Sequence, residues 1–441
     1  MNSAKHWITS AAILALLAGC SVKEPRLQGK RVDVREVIGT SEDGKPESAA
    51  RANTAFNMPA TTNPSSWTHR NGGPTHKVQH PALNKALTLV WSAPVGQGDA
   101  KKARITADPV VAGGLIYTLD SRAQVTATTT AGQTAWTKDV TPPRDKTSDA
   151  SGGGLAVAGK TLYVTTGYGE LLALDASSGQ TRWRQEFDGP VQGSPTVKDG
   201  LVYVVSRDNR AFAVEADTGR LKWEVPGTPT PSVMVGGAGP AVAGDRVIFP
   251  FGSSEVTATL RRSGIRTWNA VIAGERRGRA YTGFTDITGD PVVVGNTAYV
   301  GTQSGRTVAL DVTSGERNWT ATEGAYSPVW PAGNAVFLVS DASELVRLDA
   351  ATGEVVWARD LPLFKNERPR RRKAVFAHYG PVLAGGLLRV ASDDGQLRSF
   401  DPASGALVSS VALPDGATSN PVVVNRTLYV VTSRGQLLAF R

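Results

Sequence analysis

From residue 87 onward, apolar and polar positions fall in short runs of strand length, with no sustained helical period. Leu162-Tyr163-Val164 and Leu171-Leu172-Ala173-Leu174 are typical, and Gly159, Gly167 and Gly169 punctuate them as tight turns punctuate strands. One unit recurs: an apolar strand after Pro, a Gly turn, two more strands, then D-x-x-S/T-G-x-x-x-W. Its clearest copies run from Asp175 to Trp183, Asp311 to Trp319 and Asp349 to Trp357, with a near copy from Glu215 to Trp223. Weaker copies end at Trp136 and Trp268, and Asp401 to Ser409 keeps Gly405 without a Trp. In such a turn Asp hydrogen-bonds the backbone ahead of it, Gly supplies positive φ, and Trp offers a flat face to a neighbouring unit.

Trp91, Trp136, Trp183, Trp223, Trp268, Trp319 and Trp357 follow one another at 38 to 51 residues, room for four short strands and their turns. Recurrence in every unit assigns this series to packing between units; an aromatic ligand box is the alternative. Seven units are complete. An eighth, from Asn420 to Arg441, stops before its last strand, and Leu87 to Trp91 looks like an outer strand with no inner three before it. The predicted fold is all-β: an eight-bladed β-propeller of four-stranded antiparallel blades, residues 87–441, whose ring closes when the N-terminal strand joins the C-terminal blade and leaves no open sheet edge between them.

The first 19 residues carry a basic start at Lys5, an apolar run from Ile8 to Leu17, and Leu17-Ala18-Gly19 directly before Cys20. This is the layout of a secretory leader and resembles a bacterial lipobox, in which the Cys20 thiol takes a diacylglycerol before cleavage ahead of it. Ser21 at the next position, where Asp is absent, resembles lipoproteins sent to the outer membrane. Residues 20–86 are polar and irregular and are predicted to be a lipidated, flexible tether spanning about 45 Å as a coil. The formal charge of +9 would suit nucleic acid in a cytosolic protein; an exported, anchored chain meets anionic lipid and acidic proteins instead, so no nucleic-acid partner is expected.

Cys20 is the single cysteine, which rules out an internal disulfide and a cysteine-based metal site. His6, His69, His76 and His80 precede the propeller and His378 alone lies within it, in Phe376-Ala377-His378-Tyr379-Gly380, where partial burial or a loop hydrogen bond is the expectation. No G-x-S-x-G elbow occurs, and no metal-spaced His pair lies within the propeller. No catalytic residue, metal or cofactor is assigned. Connections from outer to inner strands all leave one face of a propeller, and the long ones include 137–151 and 358–379. Within the latter, Arg368 to Lys373 either steers an acidic partner or lipid headgroups or is a solvated loop.

The lipobox, polar lead and eight units together resemble the BamB family of the outer-membrane β-barrel assembly machinery, over residues 87–441 and the anchor. The resemblance implies a non-catalytic propeller held at the outer membrane by lipid and lying in the periplasm, a monomer within a hetero-complex. It further implies binding to the POTRA domains of a BamA-type barrel protein and help with unfolded outer-membrane clients. Pro231 to Gly237 and Phe284 to Ile287 are similar to the family's partner-contact loops, which makes Val233, Met234, Val235 and Asp286 the candidate contacts. Gly236 stands where the family pattern often has a basic residue. The two segments follow Trp223 and Trp268, on connections leaving consecutive blades, so they share a face; blade packing for the three apolar residues and a turn cap for Asp286 are the alternatives. The repeat is shared with quinone-cofactor dehydrogenases, so a periplasmic enzyme of that kind and a generic ligand-binding lipoprotein propeller are the competing readings.

Overall fold

The computed structural model describes residues 55–191, 193–230, 236–274 and 286–441. Residues 1–54, with the expected leader, Cys20 and the first part of the expected tether, lie outside them. The described residues form eight four-stranded antiparallel sheets, seven of them built in sequence order from the inside outward. Blades 1 to 7 span residues 110–139, 153–186, 196–226, 241–271, 292–321, 330–360 and 378–412. Blade 8 takes its inner three strands from residues 422–440 and its outer strand from Leu89–Pro94. The closing pair is antiparallel, with Leu89 opposite Phe440 and Trp91 opposite Ala439, and Thr88 and Arg441 exchange backbone hydrogen bonds at its end. The expected closure is therefore present, with the strand continuing three residues past Trp91.

Within a blade the inner three strands are buried and the outer strand is half exposed, as Glu170–Asp175 and Thr181–Glu186 illustrate. The repeat explains how blades join. In each turn the Asp carboxylate accepts two backbone N–H groups, at 3.0 and 3.1 Å for Asp175, 2.8 and 2.8 Å for Asp311, and 2.9 and 3.0 Å for Asp349. The Ser177 hydroxyl and Arg182 hold the Asp175 carboxyl well below the usual carboxylate range. The turn glycine then lies on the tryptophan of the preceding blade. A Cβ at Gly179, Gly219, Gly264 or Gly315 would sit 2.6 to 2.7 Å from Trp136, Trp183, Trp223 or Trp268. The indole N–H of Trp136 donates to Ala176 O at 3.1 Å and that of Trp183 to Ala216 O at 3.0 Å, both carbonyls of the next blade's turn. Tyr117 O–H reaches the same Ala176 oxygen, and its ring packs 5.9 Å from Trp136. Each tryptophan is thus consumed by the joint between blades.

Candidate functional site

A propeller's innermost strands turn one unpaired edge toward the central channel. Here residues 55–86 run across those edges. Trp67 exchanges two backbone bonds with Val111 of blade 1, and Thr68 O accepts from Val157 of blade 2 at 2.8 Å. His69 Nε2 accepts from Val197 of blade 3 at 3.0 Å. Pro74 O accepts from Val242 of blade 4 and Thr75 O from Val293 of blade 5. The Asn334 side chain of blade 6 bonds Ala55 O and Asn57 N, Pro81 O accepts from Gly385 of blade 7, and Pro64 O from Asn425 of blade 8. All eight blades are stitched to one segment, so this stretch corrects the expectation of a flexible tether. The reason is chemical. The segment has few apolar residues to bury, but on blades 1 to 5 it satisfies innermost-strand N–H groups that would otherwise be unpaired, and on blades 6 to 8 it bonds the turn that follows the innermost strand.

Its large side chains fill the channel. Trp67 is 2% exposed and stacks 6.3 Å from Trp330. Arg70 is pinned between Asp108, before blade 1, at 3.1 Å and Asp290, before blade 5, at 3.0 Å, and so ties opposite sides of the ring. The carboxylates have further donors: Gly239 N–H on Asp290, and the backbone and side-chain N–H groups of Asn420 on Asp108. Burial works against the Arg70 charge, but the two carboxylates hold its pKa above the usual value. Burial pushes the Asp290 carboxyl up despite Arg70 and Gly239. Burial takes His69 down to about 3, with His76 contributing, and His76 down to about 4. Both are neutral. His69 Nε2 accepts from Val197, so its Nδ1 carries the proton and donates to Thr68 Oγ1, 2.9 Å away.

The other candidate surface is the face from which the blade-to-blade connections emerge, each starting beside the turn between its blade's two middle strands. Val233, Met234 and Val235 lie outside the described residues. The ends of both family-derived segments come together: Gly237 and Ala238 line one shallow depression with Asp286, Ile287, Arg207 and Asn209. Asp286 is 4% exposed, a buried carboxylate at the base of its loop rather than a charge on the rim. Beyond this depression a larger cleft of about 950 Å³ lies between the 95–109 and 361–377 connections, with Arg70 and Asp108 at its floor. The 361–377 connection is a short ribbon: Lys365 N–H donates to Ala374 O at 2.9 Å and Phe376 N–H to Leu363 O at 2.8 Å. His378 fastens its base, with Nε2 donating to Pro362 O at 2.8 Å and Nδ1 accepting from Ser392 Oγ at 2.7 Å. Burial lowers its pKa.

Sequence reasoning placed the connection face but passed over Trp67, His69, Arg70 and His76. Their signal was three histidines, an arginine and a tryptophan crowded into a stretch otherwise too polar to order itself.

Compared with known proteins, residues 121–359 and 367–441 match the family described as outer membrane protein assembly factor BamB. The chain is 28% identical over 358 residues to the protein of that name from Shewanella oneidensis, covering 79% of this chain and 87% of the relative. The crystal structure of BamB from Moraxella catarrhalis superposes with a TM-score of 0.67 at 19% identity, covering 81% of this chain and 100% of that one. A quinohemoprotein alcohol dehydrogenase from Comamonas testosteroni gives 0.64 at 16% identity, covering 89% and 81%. At those identities the superpositions speak for the fold alone. The residues present do not fit a quinone cofactor in the channel, because this chain's own segment fills it. The carboxylates around the cleft are engaged as well: Asp108 with Arg70 and Asn420, Asp99 with Arg104 and Thr418, Asp341 with Gly324 N–H, Asp393 with Lys365 and Ala377 N–H.

Proposed function

The chain belongs to the BamB family of outer membrane protein assembly factors, and from that membership we propose that it is a non-catalytic scaffold recognising its partner with the connection face of the propeller. The observation that carries the scaffold reading is the stoppered channel. Where a cofactor-dependent propeller needs room and unengaged carboxylates, Trp67, Arg70 and His76 stand packed and paired. What remains available for recognition is the set of connections, held at fixed positions by a ring that cannot splay.

The partner in this reading is a BamA-type barrel protein, bound through its POTRA domains by the loops containing Val233, Met234 and Val235 and the loop that Asp286 anchors. Unfolded outer-membrane proteins are the clients. Asp286 is buried and acts from beneath the surface rather than at its rim. Acylation at Cys20 holds the propeller on the periplasmic side of the outer membrane, with residues 20–54 as the reach between bilayer and ring. The test is co-purification in mild detergent with the BamA-type protein, comparing the native chain with a V233N/V235N/D286N variant of unchanged circular dichroism. Retention should fall at least tenfold in the variant. Equal retention would move the contact elsewhere, and a native chain that never co-purifies with the barrel protein removes the reading.

A further inference from the structure

We infer that the cleft between the 95–109 and 361–377 connections is a docking groove for an acidic, extended polypeptide segment that also carries apolar side chains. This surface goes beyond the family-derived contacts at 233–235 and 286 and does not rest on them. Its first support is charge. Residues 363–376 hold six cations against one acid, more than half of the chain's net +9. Arg368, Arg370, Arg371 and Lys373 are exposed on this lip and have no ion-pair partner among the described residues, whereas Arg372 is spent on Glu367 and on the ring of Phe364. On the other wall Arg434 lines the cleft itself, and Lys101 and Lys102 stand at the tip of the 95–109 connection outside its lining; all three are exposed and have no ion-pair partner among the described residues.

The acids lining the groove, Asp99, Asp108, Asp341 and Asp393, are already engaged from within, Asp341 by the Gly324 N–H. The ribbon's backbone bonds and the His378 clasp hold the cations in place before any partner arrives, so little ordering is needed on binding. Between the lips the lining is apolar as well as polar: Ile105, Val339, Phe364 and Phe376, with Val375 53% exposed at the edge. Cations on two sides of a cleft with apolar side chains between them suit a narrow chain carrying carboxylates outward and apolar groups inward. A flat bilayer would meet one lip at a time.

The test uses the full chain in detergent and a fluorescein-labelled peptide alternating glutamate with phenylalanine, read by anisotropy at low and at moderate salt. The peptide should bind, bind more weakly as salt rises, and bind more tightly than its lysine-for-glutamate counterpart. R368S/R370S/R371S/K373S and K101S/K102S should each weaken it by about fivefold or more, taking each exposed pair at its usual small value. V233N/V235N should leave it unchanged. These substitutions are at exposed positions, and an unaltered melting curve confirms the fold; R434S gives a third, single-site measure. No binding, binding insensitive to either lip, or equal binding of the lysine peptide overturns the inference. So does a result in which phosphatidylglycerol vesicles bind through the Arg368–Lys373 lip while the peptide does not, which would make it a lipid contact.

Discussion

Replacing Arg70 by methionine keeps most of the side-chain volume in the channel and removes the one cation between Asp108 and Asp290. Two buried carboxylates are then left facing across the ring without it. Removing one partner of a buried ion pair costs about 3 to 5 kcal/mol. The lower end applies here, because Asn420 still donates twice to Asp108 and Gly239 once to Asp290, and because burial already disposes Asp290 to take up a proton. With an unfolding entropy of ~2.1 cal/mol/K per residue over residues 55–441, a loss of about 3 kcal/mol lowers the melting temperature by about 4 °C. The assay is thermal unfolding of R70M followed by circular dichroism at neutral pH and again nearer pH 4. Without Arg70 the folded-state pKa of Asp290 rises further above its unfolded value. The protonated form is then the stable one, so the deficit should shrink as pH falls and be largest when the carboxyl is fully ionised. R70M combined with D290N should recover part of the loss at neutral pH. An R70M melting point within about 1 °C of native, by the same arithmetic, or a deficit that grows on acidification, would refute the ion-bridge account of the stopper.

Further outcomes follow from the same geometry. Gly353 has φ +73 and a Cβ there would lie 2.4 Å from Trp319, so Gly353→Ala should cost about 2 to 4 kcal/mol, whereas Gly295→Ala, at φ +59 with open space, should cost about 1; urea midpoints compare the two. His69 and His76 are held neutral with pKa values of about 3 and about 4. Since both lie below the unfolded value, their stabilisation is complete above pH ~6.5 and is lost as pH falls from there toward 4, at up to ~1.4 kcal/mol per pH unit for each. Asp290 works in the opposite sense, and melting curves of the native chain and H76Q should converge on acidification. Truncation before Gln436 removes the partner of Leu89–Pro94, and the opened ring should run as aggregate or oligomer in size exclusion rather than as monomer.

The propeller was legible because its determinant is local and repeated. Asp, Gly and Trp at fixed offsets specify a turn and a joint, and seven near-copies with an incomplete eighth unit stack into a closed ring when the unmatched strand at one end meets the three at the other. The stopper was not legible for the opposite reason. Residues 55–86 have no period and little apolar surface, and they are ordered by strand edges and turns that come together only after the ring has formed: Pro64, Thr68, Pro74, Thr75 and Pro81 contribute carbonyls, not side chains. A backbone oxygen leaves no mark in a sequence. Asp286 shows a smaller version of the same limit, since an acid in a connection reads as a surface charge until the neighbouring blade covers it. The two walls of the cleft stood between these cases, with Arg368 to Lys373 conspicuous as a charge run and Lys101 and Lys102 acquiring meaning from the fold that brings their connection to the same cleft.

Hydrogen exchange read by mass spectrometry over peptides covering residues 62–81 and the inner strands at Val111, Val157, Val242 and Val293 tests the filled channel most directly. These inner-strand amides donate to the stopper, so both sets should be protected to the level of the blade cores, and R70M should release them together. Exchange of 62–81 within seconds, beside fully protected blades, would contradict the claim that this chain's own segment closes its channel.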